Sequence, residues 1–203
     1  MRGVLSGKVL MPLLVTLSVA TVVNLYHVGD ANRDGKVDAH DLELLRSAWG
    51  SSSGDPRYSS DVDFNGDGKI DICDLALLGK HWLLLYAVVY VDPESLNLES
   101  SGEWVTCYIE LPDGYNVGDI DVATIQLNNK ISAESKPTNI GDYDKDGTPD
   151  LMVKLDRAKT IDCVSRILEN ADEFTHATLT VTGKLYDGTN FLGIDTVKIP
   201  QVF

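Results

Sequence analysis

A twelve-residue acidic phrase occurs twice in this chain, as DANRDGKVDAHD at residues 30–41 and as DFNGDGKIDICD at residues 63–74. In both copies oxygen-bearing side chains occupy positions 1, 3, 5, 9 and 12, and glycine occupies position 6. Ca²⁺ takes six to eight oxygen ligands, so a loop that binds it must turn alternate side chains inward, and glycine permits the sharp turn that this requires. Two complete copies indicate a pair of calcium loops, whereas acids kept for solubility would not be clustered in this way.

The position of each residue in the phrase gives the predicted ligands, with position 7 contributing a backbone carbonyl. In the first loop these are Asp30, Asn32, Asp34, Lys36, Asp38 and Asp41. In the second loop they are Asp63, Asn65, Asp67, Lys69, Asp71 and Asp74. An empty loop would crowd like charges in a domain with little core of its own, so we expect Ca²⁺ to supply much of its folding free energy. This predicts a structural role for Ca²⁺ rather than a calmodulin-like switch.

The segment after each loop is also repeated, as DLELLRSAW at 41–49 and DLALLGKHW at 74–82. The spacing predicts one short amphipathic helix after each loop, with an inward face formed by Leu42, Leu45 and Trp49 and by Leu75, Leu78 and Trp82. The segments before the loops are short and lack helical periodicity, so each unit is a loop with one exiting helix. The polar segment GSSSGDP at 50–56 is predicted to be a flexible link between the two units.

A duplicated loop with an exiting helix and Asp at position 12 resembles the dockerin family. The resemblance covers residues 27–84, with repeats at 30–49 and 63–82. It implies a small all-α domain with two EF-hand-like calcium loops that binds a cohesin domain on a scaffold or surface protein. It also implies membership of an extracellular, cellulosome-like assembly for polysaccharide catabolism. The partner-binding positions that it implies are Ala39, His40, Arg46, Ser47, Ile72, Cys73, Gly79 and Lys80.

The N-terminus has the pattern of a secretory signal peptide at residues 1–20, with an uncharged apolar run at 9–23 and small residues at 18–20. A retained membrane anchor is the alternative. Either way, the remainder of the chain is predicted to lie outside the cytoplasm. The formal net charge of −14 argues against nucleic acid as a partner, because phosphate binding needs a basic surface.

From about residue 87 the pattern changes to short, β-branched, largely alternating segments separated by turn signals. This predicts an antiparallel, immunoglobulin-like β-sandwich at 87–203, with one amphipathic helix at 158–169, and an α+β fold for the whole chain. The helix is predicted to turn Ile161, Val164, Ile167 and Leu168 inward. Cys107 is predicted to be buried, and a disulfide between Cys107 and Cys163 is left open.

A third acidic segment, DYDKDGTPD at 142–150, repeats positions 1, 3, 5, 7 and 9 of the calcium loop with Asp142, Asp144, Asp146, Thr148 and Asp150. Position 12 is Val153, so the bidentate carboxylate of a complete loop is missing. The segment predicts a third, weaker calcium site. The alternative is an acidic hairpin turn without metal.

The chain carries no GxSxG, HExxH or Walker motif, so we do not expect it to be an enzyme. The leading hypothesis is a secreted adaptor, in which the dockerin docks while the sandwich binds a ligand such as a glycan or acts as a spacer. A second hypothesis is a self-contained calcium-stabilised surface protein, in which the dockerin packs on its own sandwich. A third is a small polysaccharide-active enzyme, for which Glu110, Glu134 and Glu173 remain candidate acids.

Overall fold

The computed structural model describes residues 27–168 and 176–200, apart from the side chains of residues 167 and 168. The predicted signal peptide at 1–20, Glu173 and the predicted inward orientation of Ile167 and Leu168 lie outside the described residues. Within the described ranges, none of the helices has the length and apolar character needed to cross a bilayer.

Two helices come directly after the two acidic loops, α1 at Ala39–Ala48 and α2 at Ile72–Lys80. Each begins with a capping box, in which the aspartate at loop position 9 is the N-cap and the aspartate at position 12 accepts from the N-cap amide. The last residues of each acidic loop therefore form the N-terminus of the helix that follows it. The helices share a small core that includes Val37, Leu45, Ile70 and Leu78.

The predicted inward face of these helices is only partly correct. Leu45 and Leu78 are buried, but Trp49 and Trp82 are each 41% exposed. The reason is that α1 ends at Ala48, and Trp49 is a C-cap with ψ 131°, so the chain has already left the helical path. Trp82 lies two residues beyond the end of α2 for the same reason.

The segment between the two repeats is less free than its composition suggests. Gly50 donates to the carbonyl of Ile70 at 3.0 Å, and Ile70 donates back to Ser51 at 3.0 Å. Ser53 donates to the carbonyl of Gly68 at 2.8 Å. The predicted flexible link is thus held as a short antiparallel pairing with the second acidic loop.

The first acidic loop makes the equivalent pairing with the chain that comes after α2. Leu83 donates to the carbonyl of Val37 at 2.9 Å, and Tyr86 donates to the carbonyl of Gly35 at 2.7 Å. Tyr86 belongs to strand β1, Leu84–Asp92, and Leu83 directly precedes that strand. The dockerin-like part therefore continues into the β-rich part without a linker, and the first loop is hydrogen-bonded to the sheet.

The other strands of the β-rich part are β2 at Trp104–Glu110, β3 at Ile120–Leu127, β4 at Ile131–Ser132, β5 at Asn139–Gly141, β6 at Asp150–Asp156, β7 at His176–Leu185 and β8 at Asn190–Lys198. Within the described residues they form one eight-stranded sheet in the order β4-β3-β7-β8-β1-β2-β6-β5. A single buried cluster includes Ile125, Leu179 and Phe191 from one half of the sheet and Ile109 and Val153 from the other, so the two halves enclose a common core.

The predicted α+β class is confirmed, with a small helical region followed by a large β-rich domain. The sheet is mixed rather than purely antiparallel, because residues 84–87 of β1 pair in parallel with β8 while residues 88–92 pair antiparallel with β2. The alternating pattern identifies strands, but their direction depends on how the β7–β8 hairpin returns beside β1, which is a tertiary property.

Helix α3 spans Arg157–Leu168 and packs its Val164 and Cys163 into the main core. The predicted burial of Cys107 is confirmed. Cys107 and Cys163 are both buried and unpaired, so the disulfide left open by the sequence is not formed in the structure.

Gly193 on β8 provides a test of this packing. A methyl group at Gly193 would overlap the Val89 side chain and lie 2.7 Å from the carbonyl oxygen of Ala87. We expect Gly193→Ala to lower the free energy of unfolding by about 1–3 kcal/mol, because the parallel β1–β8 pair must separate to admit it.

Gly79→Ala is the matched control, since a methyl group at Gly79 meets nothing within 4 Å and alanine suits a helix better by about 0.5–1 kcal/mol. Urea unfolding of both variants measures the difference. Equal stability of the two variants would contradict the described approach of β1 and β8.

Candidate functional site: the acidic loops and the helix surface beside them

The first acidic loop is organised by its own carboxylates. Asp30 accepts from the amides of Asp34 at 3.2 Å and Gly35 at 3.0 Å. Asp41 accepts from Ala31 at 2.8 Å with one oxygen and from Asp38 at 2.8 Å with the other. The carboxylates at positions 1 and 12 thereby fix both ends of the loop.

The second loop repeats the same bonds nearly atom for atom. Asp63 accepts from the amides of Asp67 at 3.2 Å and Gly68 at 2.8 Å. Asp74 accepts from Phe64 at 2.9 Å and from Asp71 at 2.9 Å. Because the two loops share one hydrogen-bond pattern as well as one sequence pattern, they are two copies of the same structural unit.

The two glycines at position 6 adopt the same left-handed conformation, with φ of +81° at Gly35 and +80° at Gly68. This is the conformation that the sequence pattern requires of position 6, because L side chains are strained there. Each loop therefore has the backbone turn that wraps a chain around a small ion.

The electrostatics of the first loop favour a cation. Asp41 is fully buried and Asp30 nearly so. The pKa of Asp30 is raised to about 6, chiefly by burial; the hydrogen bond from the Gly35 amide opposes the rise, and the charges of Asp41 and Asp34 add to it. Two buried carboxylates without a compensating cation are unfavourable, and an all-oxygen donor set suits a hard divalent ion. The residues present therefore fit Ca²⁺.

The two loops differ in their surroundings. A methyl group at Gly35 would lie 2.7 Å from Cγ of Pro112 in the β-rich part, whereas one at Gly68 would meet only Ser53 at 3.7 Å. Lys36 places its Nζ 5.6 Å from the ring centroid of Tyr115. The first loop thus packs on the sheet, and the second does not have this contact.

The implied partner-binding positions all lie at the surface. They are Ala39, His40, Arg46, Ser47, Ile72, Cys73, Gly79 and Lys80, and each is exposed. Sequence reasoning missed the apolar side chains that are exposed around them, which are Leu42, Leu44, Trp49, Trp82 and Leu83. The periodicity assigned Leu42 and the two tryptophans to the core. The early helix ends account for the exposed tryptophans, whereas Leu42 is exposed within α1 itself.

The third acidic loop connects β5 to β6. Carboxylate oxygens of Asp142, Asp144 and Asp150 lie within 4.8 Å of one another, and so do those of Glu110, Asp144 and Asp146. Among the described residues, such convergence of three carboxylates is found in this loop and not in the other two. Thr148 contributes its amide to Asp146 at 2.7 Å.

Glu110 on β2 is the residue that sequence reasoning did not place here. Burial raises its pKa, and the neighbouring Asp146, Asp150, Asp144 and Asp142 raise it further. Its location depends on the pairing of Glu110 with Asp150 across β2 and β6, which no local pattern specifies.

The N-terminal part thus consists of two copies of one acidic loop, each with one exiting helix, joined to a β-rich domain. Residues 28–83 match the family model described as the dockerin type I domain. The N-terminal part of this chain is accordingly a dockerin type I domain, as the sequence predicted. Dockerin type I domains bind calcium and dock onto cohesin domains. No match was found among curated proteins or among solved structures.

Proposed function

We propose that this chain is a secreted adaptor. Its dockerin domain, at residues 27–84, binds a cohesin domain of a scaffold or surface protein and thereby attaches the β-rich domain, at 87–203, to an extracellular assembly. Dockerin proteins are typically extracellular, which supports secretion, and a dockerin domain is itself non-catalytic. In this proposal the β-rich domain is also non-catalytic and serves as a ligand-binding module, with glycans as the candidate ligands, or as a spacer.

The observation that carries the proposal is the pairing of two equivalent calcium loops with an exposed helix surface. Each loop ends in the capping box that starts its helix, so calcium bound to a loop would fix the position of that helix. The implied partner positions lie at the beginnings and ends of α1 and α2, and all are exposed. Calcium therefore acts structurally, by holding the docking surface in shape.

A self-contained calcium-stabilised surface protein is the second candidate, and one observation favours it. The first calcium loop is hydrogen-bonded to β1 and packs on Pro112, so the dockerin domain contacts its own β-rich domain. That contact uses the loop and leaves the partner positions on the helices exposed. Docking and internal packing are therefore compatible, and only a binding experiment separates the two candidates.

The test is calcium titration of residues 21–203 by calorimetry, with and without a panel of cohesin domains. The truncation keeps every described residue. The adaptor proposal expects Ca²⁺ at both dockerin loops and cohesin binding that is abolished by chelation. Calcium binding without uptake of any cohesin would favour the self-contained protein, and absence of calcium binding would overturn both.

Ile72→Asp tests the docking surface itself. Ile72 is 65% exposed, so a charge there leaves the fold intact but should weaken cohesin binding by about tenfold or more if the residue lies in the interface. Ile140→Asp, at an exposed isoleucine of β5, is the matched control and should bind as the parent does. Ala39→Asp, at the same loop position of the first repeat, shows whether that repeat also contacts the partner.

A further inference from the structure

The acidic loop at 142–150 lies outside the dockerin domain and its calcium pair. Its aspartates converge as two overlapping groups that share Asp144, one with Asp142 and Asp150 and the other with Asp146 and Glu110. Within each group the carboxylate oxygens lie within 4.8 Å of one another. Five carboxylates thus meet in one place. They come from the end of β2, from the start of β6 and from the loop that connects β5 to β6.

The buried member of the cluster provides an independent indication of a ligand. Asp150 is only 2% exposed, and its Oδ2 accepts from the amide of Tyr143 at 2.7 Å. Its Oδ1 is buried and has no hydrogen-bond partner. Buried polar atoms nearly always have a partner, because leaving one unpaired is costly. The unpaired Oδ1 of Asp150 therefore indicates that a ligand is its partner.

The strand pairing adds a second unfavourable feature. Glu110 lies directly opposite Asp150 in the β2–β6 ladder, and like charges in opposing positions destabilise a sheet. A divalent cation removes both problems at once, since it satisfies the unpaired oxygen and compensates the opposed carboxylates.

The pairing also shows how the site is completed. The loop lacks the carboxylate of position 12, because Val153 is there and is fully buried in the core. Glu110 approaches the loop from the neighbouring strand with the longer side chain that glutamate provides. It can therefore take the part of the missing carboxylate, although it is distant from the loop in the sequence.

We propose that the β-rich domain has its own calcium site, formed by Asp142, Asp144, Asp146 and Asp150 and completed by Glu110 of β2. The all-oxygen, multiply charged donor set selects a hard cation such as Ca²⁺ rather than a transition metal. The ion joins the β5–β6 hairpin to β2. It stabilises that edge of the sheet and is independent of the dockerin loops.

The test compares Glu110→Gln with Glu99→Gln in residues 21–203. Glu99 is exposed and belongs to neither carboxylate group, so its variant controls for the loss of one negative charge. Native mass spectrometry and calorimetry with Ca²⁺ alone should count three ions in the parent and in Glu99→Gln. In Glu110→Gln one of the three sites should weaken by about tenfold or more, because a charged ligand has been removed.

Thermal unfolding separates a ligand from a merely structural residue. In excess chelator, Glu110→Gln should be at least as stable as the parent, because it relieves repulsion from Asp150. In saturating Ca²⁺ it should be less stable than the parent. A variant that is less stable in chelator too, or that keeps all three sites at parental affinity, overturns the proposal, as does a parent that binds only two ions. Cohesin binding should be unchanged, so failure here is distinguishable from failure of the docking function.

Discussion

Asp41→Ala is expected to lower the free energy of unfolding of the dockerin domain by on the order of 3–5 kcal/mol. Two amide donors lose their acceptor in this variant, and each buried unpaired donor costs about 1–3 kcal/mol. The carboxylate of Asp41 is fully buried and accepts from the amides of Ala31 and Asp38, each at 2.8 Å. Alanine leaves those donors without partners and removes a charged side chain that is a predicted calcium ligand. Urea unfolding in saturating Ca²⁺, followed by tryptophan fluorescence, measures the loss.

Asp61→Ala is the control for Asp41→Ala. Asp61 is exposed and forms a surface ion pair with Arg33 at 2.7 Å, so its removal should cost no more than about 1 kcal/mol. Comparable losses for the two variants would contradict the structural role given to position 12.

Asp74→Ala, at the same position of the second repeat, should be equally destabilising but should affect a different segment. The first loop protects the amide of Tyr86 through Gly35, whereas the second protects the amide of Ser53 through Gly68. Hydrogen exchange should therefore accelerate at Tyr86 in Asp41→Ala and at Ser53 in Asp74→Ala. Acceleration of both amides in both variants would mean that the two loops unfold as one unit.

Gly35→Ala is expected to be much more damaging than Gly68→Ala, although the two glycines have the same loop position and nearly the same φ. The left-handed conformation costs either alanine about 1–2 kcal/mol. Only at Gly35 does the new methyl group also overlap a ring, since Pro112 Cγ lies 2.7 Å from its position. Overpacking adds about 1–3 kcal/mol, so the first variant should lose about 2–5 kcal/mol in all.

The measurement for the glycine pair is urea unfolding with calcium present, monitored by hydrogen exchange at Tyr86. Gly35→Ala should lose protection at Tyr86, because the loop must move away from Pro112 and its bond to Tyr86 weakens. Gly68→Ala should keep that protection. Equal behaviour of the two variants would show that the first loop does not pack on the β-rich domain as described.

Much of the dockerin domain could be predicted from the sequence because its geometry is local. The capping boxes join residues three positions apart, Asp38 with Asp41 and Asp71 with Asp74, so the helix starts follow from the loop pattern. Alternation likewise indicated that the part after about residue 87 is built from strands. The calcium ligands themselves and the secretion signal stay predictions.

Where prediction went wrong, the cause was a contact between distant residues or an early helix end. Trp49 and Trp82 were assigned to the core by a periodicity that extends past the observed helices. The segment at 50–56 has the composition of a flexible link, yet it pairs with the second loop. Composition indicates how flexible a segment is in isolation, but the residues that it pairs with in the fold decide its conformation.

The sequence by itself determined the two acidic loops, their helices and the alternation of the strands, because each depends on residues within about a dozen positions of one another. Only the tertiary structure decided the parallel approach of β8 to β1, the packing of the first loop on Pro112 and the position of Glu110 opposite Asp150. These contacts join residues far apart in the chain. They form because burial of the common core selects one arrangement of the strands, and that selection involves the whole domain rather than any single segment.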